Sequence, residues 1–266
     1  MDKSPEHDLD QILSVGIDAV LLAVNIIMPA MDQSIQEEYK GKTNPVTKID
    51  RDAEALIISE IKRHFPHHSI LAEESGKDTN DSDVLWVIDP LDGTTNFVHG
   101  YPAFSVSIGV LIQGIPTIGI VAEMPNIKLY TAIKGQGAFM EGKPISVSRT
   151  KRLIDSLLVT GFGYEHGESW HRNMALFKSF TDKTQGVRRL GAASVDICHL
   201  ASGKVDGYWE YDLSPWDSAA GIVIAEEAGA SITRIDGKPY SIYDKQILIS
   251  NGKLHNEMLN LISESL

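Results

Sequence analysis

Trp86-Val87-Ile88-Asp89-Pro90-Leu91-Asp92-Gly93-Thr94-Thr95-Asn96-Phe97-Val98-His99-Gly100 is the stretch on which the reading of this chain turns. The β-branched, apolar run Val84–Ile88 has the composition of a strand, and two carboxylates, Asp89 and Asp92, stand in the turn at its end. Pro90 stiffens that turn, and Leu91 has a backbone carbonyl to offer as a further hard oxygen donor. Gly93 lets the backbone approach an anion closely, and Thr94-Thr95-Asn96 reads as a helix start whose free N–H groups suit a phosphate.

Working outward, two more acidic clusters follow predicted strands: Glu73-Glu74 in Ile-Leu-Ala-Glu-Glu-Ser-Gly after Ser69–Ala72, and Asp217 in Ser-Pro-Trp-Asp-Ser-Ala-Ala-Gly. Each alone has an ordinary reading. Glu73-Glu74 is a solvated pair, Asp217 a helix-capping carboxylate, and Asp92-Gly93 a turn. All three together, at strand ends that share one sheet edge, make a carboxylate cluster that repels itself unless it holds a hard cation such as magnesium, which takes oxygen ligands in octahedral geometry.

The rest of the chain supplies a frame for such an edge. Apolar residues at Leu9, Ile12, Leu13, Ile17, Val20, Leu21, Val24 and Ile27 have helical spacing, predicting a helix from Leu9 to about Met28. A second helix starts near Asp50, where Thr47 and Asp50 form a capping-box pair, and stops at Pro66. Strands are predicted at Phe104–Gln113, Thr117–Ala122 and Leu129–Ile133, and in the second half of the chain at Ser156–Thr160, Val205–Glu210, Ser231–Ile235 and Gln246–Ile249. They are interleaved with helices near Glu168–Asp182, Ala192–Ser202 and Asp217–Gly229 and from Lys253 onward. Layered α/β is the expected fold class, as one unit over 1–266 with two lobes, about 1–150 and 151–266.

Composition sets further bounds. The chain has 266 residues, is 42% hydrophobic and carries a formal charge of −12, which makes nucleic acid or an anionic membrane an unlikely partner and leaves an anionic substrate in need of bound cations. Cys198, the single cysteine, excludes an internal disulfide framework and any Cys-x-x-Cys site; with Leu200 it falls in a core-facing stretch. The polar run Asp2–Asp10 lacks the order of a signal peptide, and no apolar stretch approaches the length of a membrane span, so the expected location is the cytoplasm.

Other motifs fail on context. Asp89 and Asp92 are separated by two residues, whereas phosphatases with an aspartate nucleophile place one residue between two aspartates before Gly-Thr. Gly135-Gln136-Gly137 with Gly142 leads into another extended segment, so it reads as a hairpin and not as a dinucleotide loop. The histidines, His67-His68 included, lack metal-ligand spacing and read as surface or packing residues.

These residues resemble the inositol monophosphatases, within the wider lithium-sensitive, magnesium-dependent phosphatases. Val46–Asp50, Ile70–Gly76, Trp86–Gly100, Arg188–Ser194, Val205–Glu210 and Ser214–Ala230 match the family's motifs in order, over nearly the whole chain. The resemblance implies an alternating αβαβα sandwich of the inositol monophosphatase and fructose-1,6-bisphosphatase type, assembled as a homodimer. It implies two or three Mg2+ ions on Glu73, Asp89, the Leu91 carbonyl, Asp92 and Asp217. Thr94 with Glu73 would orient the attacking water, and Asp50 would lie near Thr94 and a further metal. The Gly93 and Thr94 amides would bind phosphate, while Gly191, Ala193, Glu210 and Asp92 would contact the inositol ring. Phosphate monoesters demand accelerations up to ~10²¹-fold, and one general base gives roughly 10²–10⁴, so electrostatics must carry most of the rate.

One segment departs from the family pattern: Lys40-Gly41-Lys42-Thr43-Asn44-Pro45 runs directly into Val46-Thr47 without the family's Asp-Leu pair. The resemblance therefore does not extend to the most weakly held metal or to lithium sensitivity. Relatives act on fructose 1,6-bisphosphate, phosphoadenosine phosphate or histidinol phosphate; Asn96-Phe97 and Glu210 favour myo-inositol 1-phosphate. A different class of role, association with transcription machinery, is also found among bacterial relatives.

Overall fold

The computed structural model describes residues 7–31, 37–39, 45–78, 80–163 and 166–266. Helical spacing winds Leu9–Ala30 into α1, opened by an Asp8 side chain that accepts the Gln11 N–H, with Ile12, Val15, Ala19, Val20, Ala23, Val24 and Ile27 on its buried side. Strands β1 (Glu37–Tyr39) and β2 (Pro45–Thr47) pair antiparallel; the departing segment Lys40–Asn44 lies outside the described residues. Helix α2 (Lys48–His64) begins at the predicted capping box, with the Thr47 N–H and hydroxyl both donated to Asp50.

The chain then builds a sheet of eight strands: β3 (Ser69–Ala72), β4 (Gly76–Asp78), β5 (Val84–Asp92), β6 (Phe104–Ile112), β7 (Ile115–Met124), β8 (Lys128–Ile133), β9 (Ala138–Met140) and β10 (Lys143–Pro144), with the five-residue helix α3 (Thr94–Val98) between β5 and β6. Their order is β10-β9-β8-β7-β6-β5-β3-β4, with β3 and β5 the parallel pair. A second sheet, in the order β12-β11-β13-β15-β14, uses β11 (Leu157–Thr160), β12 (Gly186–Arg188), β13 (Gly207–Tyr211), β14 (Ser231–Thr233) and β15 (Gln246–Ser250). Helices α4 (Glu168–Lys183), α5 (Ala193–Ala201), α6 (Pro215–Glu227) and α7 (His255–Ser265) complete the chain.

The cores show how these elements stack. One joins α1 and α2 to the first sheet through Ile57, Trp86, Ile108 and Ile120. A second puts α5 and α6 between the sheets, with Val121 and Tyr130 on one side and Tyr208 and Ile249 on the other. A third packs Leu176, Phe180, Met258 and Ile262 of α4 and α7 on Trp209 and Leu248. The result is α/β in five layers, αβαβα, as the resemblance implies. Helix α6 comes down so close that a Cβ on Gly109 would lie 2.7 Å from Ala219, and one on its strand partner Gly119 would lie 2.3 Å from the Ala220 carbonyl oxygen. Those two glycines set the depth of the helix that carries Asp217.

Three expectations need adjustment. Strand β5 runs on past Ile88 through Pro90 to Asp92, because pairing with β6 resumes at Asp92↔Ser105 after an irregularity beyond Asp89↔Ser107. Strands β4, β9, β10 and β12 are two or three residues long and show too little alternation to be read from sequence. Helix α1 spans 22 residues and contains an 18-residue stretch with a mean hydropathy of 2.1, enough by length and composition to cross a membrane, which corrects the expectation that no stretch approaches a span. Here α1 is a core helix, packed beside α2 on the first sheet. The Gly135–Gly137 segment does turn a hairpin, β8 pairing antiparallel with β9, and Cys198 and Leu200 are both buried.

Candidate active site

Strands β3 and β5 are parallel neighbours, so their C-terminal ends deliver Glu73 and Asp89 to one sheet edge. The Glu73 N–H donates to the Ile88 carbonyl at 3.2 Å, tying the acidic turn to the end of β5. That turn is gripped from α2: the buried Glu54 carboxylate accepts the Glu74 and Ser75 N–H groups, each at 2.8 Å. Asp89 is 2% exposed and accepts the Leu91 N–H at 3.0 Å, a local bond that shapes the Asp-Pro-Leu-Asp turn.

Electrostatics join Asp217 to this edge. Burial pushes Asp89 well above the usual carboxylate range, and Glu73, Asp92 and Asp217 push it further. Burial also raises Asp217, which feels Asp92, Glu73 and Glu210 while its Oδ2 accepts the Ser214 N–H at 2.6 Å. The capping reading of Asp217 and the acidic-cluster reading therefore hold together. Among the described residues no three His, Cys, Asp or Glu side chains form a ready-made coordination shell. Oxygen-only donors that disfavour one another's charge nonetheless fit a hard divalent cation, whose arrival would relieve that repulsion.

Asp50 stands beside the cluster, 1% exposed and raised by burial. One of its oxygens is taken by Thr47, and the other lies 3.0 Å from the Thr94 hydroxyl, which is also 3.0 Å from the Leu91 carbonyl. Thr94 opens α3 behind Gly93, whose φ of +86° and close approach to Ala103, Ala192 and Phe104 explain the glycine.

The facing wall comes from the far end of the chain. The Asn96 amide donates to the Ala103 and Leu190 carbonyls at 2.6 and 2.8 Å, holding the loop on which Gly191 has a φ of +91°. Ala193 begins α5, and the next residue, Ser194, donates both its N–H and its hydroxyl to Asp92 Oδ2. Glu210 accepts the Tyr208 hydroxyl at 2.6 Å, and burial lifts it to about 7, helped by Asp92 and opposed by Arg189.

This geometry can be set beside known proteins. The model of the inositol monophosphatase family matches residues 8–266. The chain belongs to the inositol monophosphatase family. It is a phosphatase of that metal-dependent family, and its curated relatives span it almost end to end. The inositol-1-monophosphatase of Synechocystis is 46% identical over 94% of this chain and 88% of its own length. The Nus factor SuhB of Vibrio cholerae is 38% identical over 95% and 96%. A solved inositol monophosphatase from Anabaena superposes with a TM-score of 0.86 at 41% identity, covering 98% of both chains.

Every site residue expected from the sequence is among the described residues, and hydrogen bonds or electrostatics link Asp50, Glu73, Asp89, Leu91, Asp92, Thr94, Asp217 and Glu210 into one network. Sequence reasoning missed Glu54, Ser105, Ser194 and Asp196. Asp196 is buried with neither carboxyl oxygen hydrogen-bonded among the described residues, and burial raises it far above its usual range with Glu210 and Asp92 adding to the rise. Its signal was an acidic residue among the apolar Val195, Ile197, Cys198 and Leu200 of α5.

Proposed function

We propose that this chain hydrolyses myo-inositol 1-phosphate to myo-inositol and phosphate in the presence of Mg2+. The observation that carries the reading is the edge where, on top of burial, Glu73, Asp92 and Asp217 raise the proton affinity of Asp89, and Asp92 and Glu73 that of Asp217, beside the Thr94–Asp50 pair. When bound there, two or three magnesium ions would supply an activated water and neutralise charge on the leaving oxygen. Glu73, Asp89, Asp92, Asp217 and the Leu91 carbonyl are the proposed ligands. Thr94 donates its hydroxyl hydrogen bond to Asp50, leaving its oxygen lone pairs free to hold the attacking water with Glu73. The Gly93 and Thr94 backbone N–H groups take the phosphate oxygens, and Gly191, Ala193, Glu210 and Asp92 meet the ring hydroxyls.

A neutral acid at Glu210 donates and an ionised one accepts, so a group poised near 7 suits a polyhydroxylated ring. The chain is further proposed to act as one catalytic unit over 1–266, as a cytoplasmic homodimer without nucleic acid as a direct ligand. The test is phosphate release from myo-inositol 1-phosphate, fructose 1,6-bisphosphate, phosphoadenosine phosphate and histidinol phosphate. The highest kcat/KM is expected for the first, and a clear preference for any other overturns the substrate.

The likeness to proteins called Nus factor SuhB favours one second reading, a protein partner in transcription. A cellular phenotype that survives an Asp92→Asn change abolishing hydrolysis would support that role over catalysis.

A further inference from the structure

Two serines that no part of the mechanism above uses converge on Asp92. Ser105 is the strand partner of Asp92 across the β5–β6 pair, and Ser194 reaches the same point from the first turn of α5, 102 residues away. The Ser194 hydroxyl lies 2.5 Å from Asp92 Oδ2 and 2.5 Å from the Ser105 hydroxyl, and the Ser194 N–H donates to the same Oδ2 at 2.8 Å. Both serines are fully buried, and Asp92 is 8% exposed.

The direction of the protons follows from the chemistry. An ionised carboxylate only accepts, so the Ser194 proton goes to Asp92. That proton is then committed, and Ser105 must donate to Ser194. Burial raises Asp92, and the hydrogen bonds from Ser194 and Ser105 oppose that rise. Both hydrogen bonds from Ser194 end on Oδ2, so that oxygen is held by protein from the first turn of α5.

We propose that Ser105 and Ser194 are positioning residues, a two-hydroxyl relay that locks Asp92 with Oδ2 held by protein and Oδ1 presented to a divalent cation. The inference rests on the reading of Asp92 as a metal ligand. Groups that orient a ligand from behind are worth about 10–100-fold in metal affinity when removed.

The experiment titrates the metal-free, full-length protein with Mn2+, an oxygen-ligated stand-in for magnesium, and follows the free ion by electron paramagnetic resonance without substrate. Ser194→Ala is expected to weaken Mn2+ binding about tenfold. Ser105→Ala should cost about threefold alone and nothing further in the Ser194→Ala background, because it acts through Ser194. Each variant should keep a cooperative thermal transition, and if Ser194→Ala does not fold, Ser105→Ala alone carries the test. Asp92→Asn separates the two readings. If it weakens Mn2+ binding while folded serine variants stay within about twofold of the parent, the relay is overturned and the ligand assignment stands. If Asp92→Asn leaves binding unchanged, the ligand assignment itself fails.

Discussion

The Thr94 hydroxyl lies 3.0 Å from Asp50 Oδ1, joining the first turn of α2 to the first turn of α3. Asp50 also completes the α2 capping box with its other oxygen, so one carboxylate starts a helix and orients a hydroxyl at the acidic edge. Thr94→Ala removes the hydroxyl and should lower kcat by about 10²-fold or more, the scale of a lost proton-transfer partner, while Thr94→Ser stays within about tenfold. Initial rates of phosphate release check this.

Glu54 makes a second such link. Its carboxylate accepts two N–H groups of the turn that carries Glu73, and a hydrogen bond to a charged group is worth about 1.5–3 kcal/mol. Glu54→Ala is expected to destabilise the protein by about 2–3 kcal/mol in urea unfolding and to weaken divalent-cation binding, although Glu54 is no ligand.

Glu210 sets a pH dependence. Its folded value of about 7 lies above the ordinary 4.5, so between those values the folded chain binds more protons than the unfolded one, and stability from this group falls as pH rises through the window. For binding, acidification below about 7 removes the anion that accepts ring hydroxyls, so KM for myo-inositol 1-phosphate should rise. Glu210→Gln should flatten both profiles, seen in KM and in urea midpoints across the range.

His68 works in the opposite sense and far from the site. Burial is the main cause that holds it down to about 4 from 6.5, and its Nδ1 accepts the Trp86 indole N–H at 3.0 Å. Its contribution is complete above 6.5 and is lost as pH falls toward 4, when a proton must displace the indole. His68→Gln, which keeps an acceptor without titrating, should shrink the acid-side slope of the urea midpoint.

What was legible in the sequence is local. The Thr47–Asp50 cap and the Gly135–Gly137 hairpin each rest on residues a few positions apart, where turn and capping chemistry acts. The long helices and strands were readable because burial imposes a period on them. Ser194 on Asp92 and Glu54 on the Glu73 turn were not, since nothing in a serine or a glutamate says which distant backbone it will meet. Helix α1 was legible as an amphipathic core helix, while its most apolar stretch also has the hydropathy of a membrane span. The depth of α6 needed Gly109 and Gly119 to be seen as neighbours, and they are so only once β6 and β7 pair.

The carboxylate edge is the centre of the account, and Asp89→Asn probes it most directly. Removing one of several charges that oppose one another should raise the melting temperature of the metal-free protein, while Mg2+-dependent kcat/KM for myo-inositol 1-phosphate falls by at least about 10³-fold. Hydrolysis that persists in the variant, or in the parent enzyme stripped of divalent cations with a chelator, would contradict the assignment.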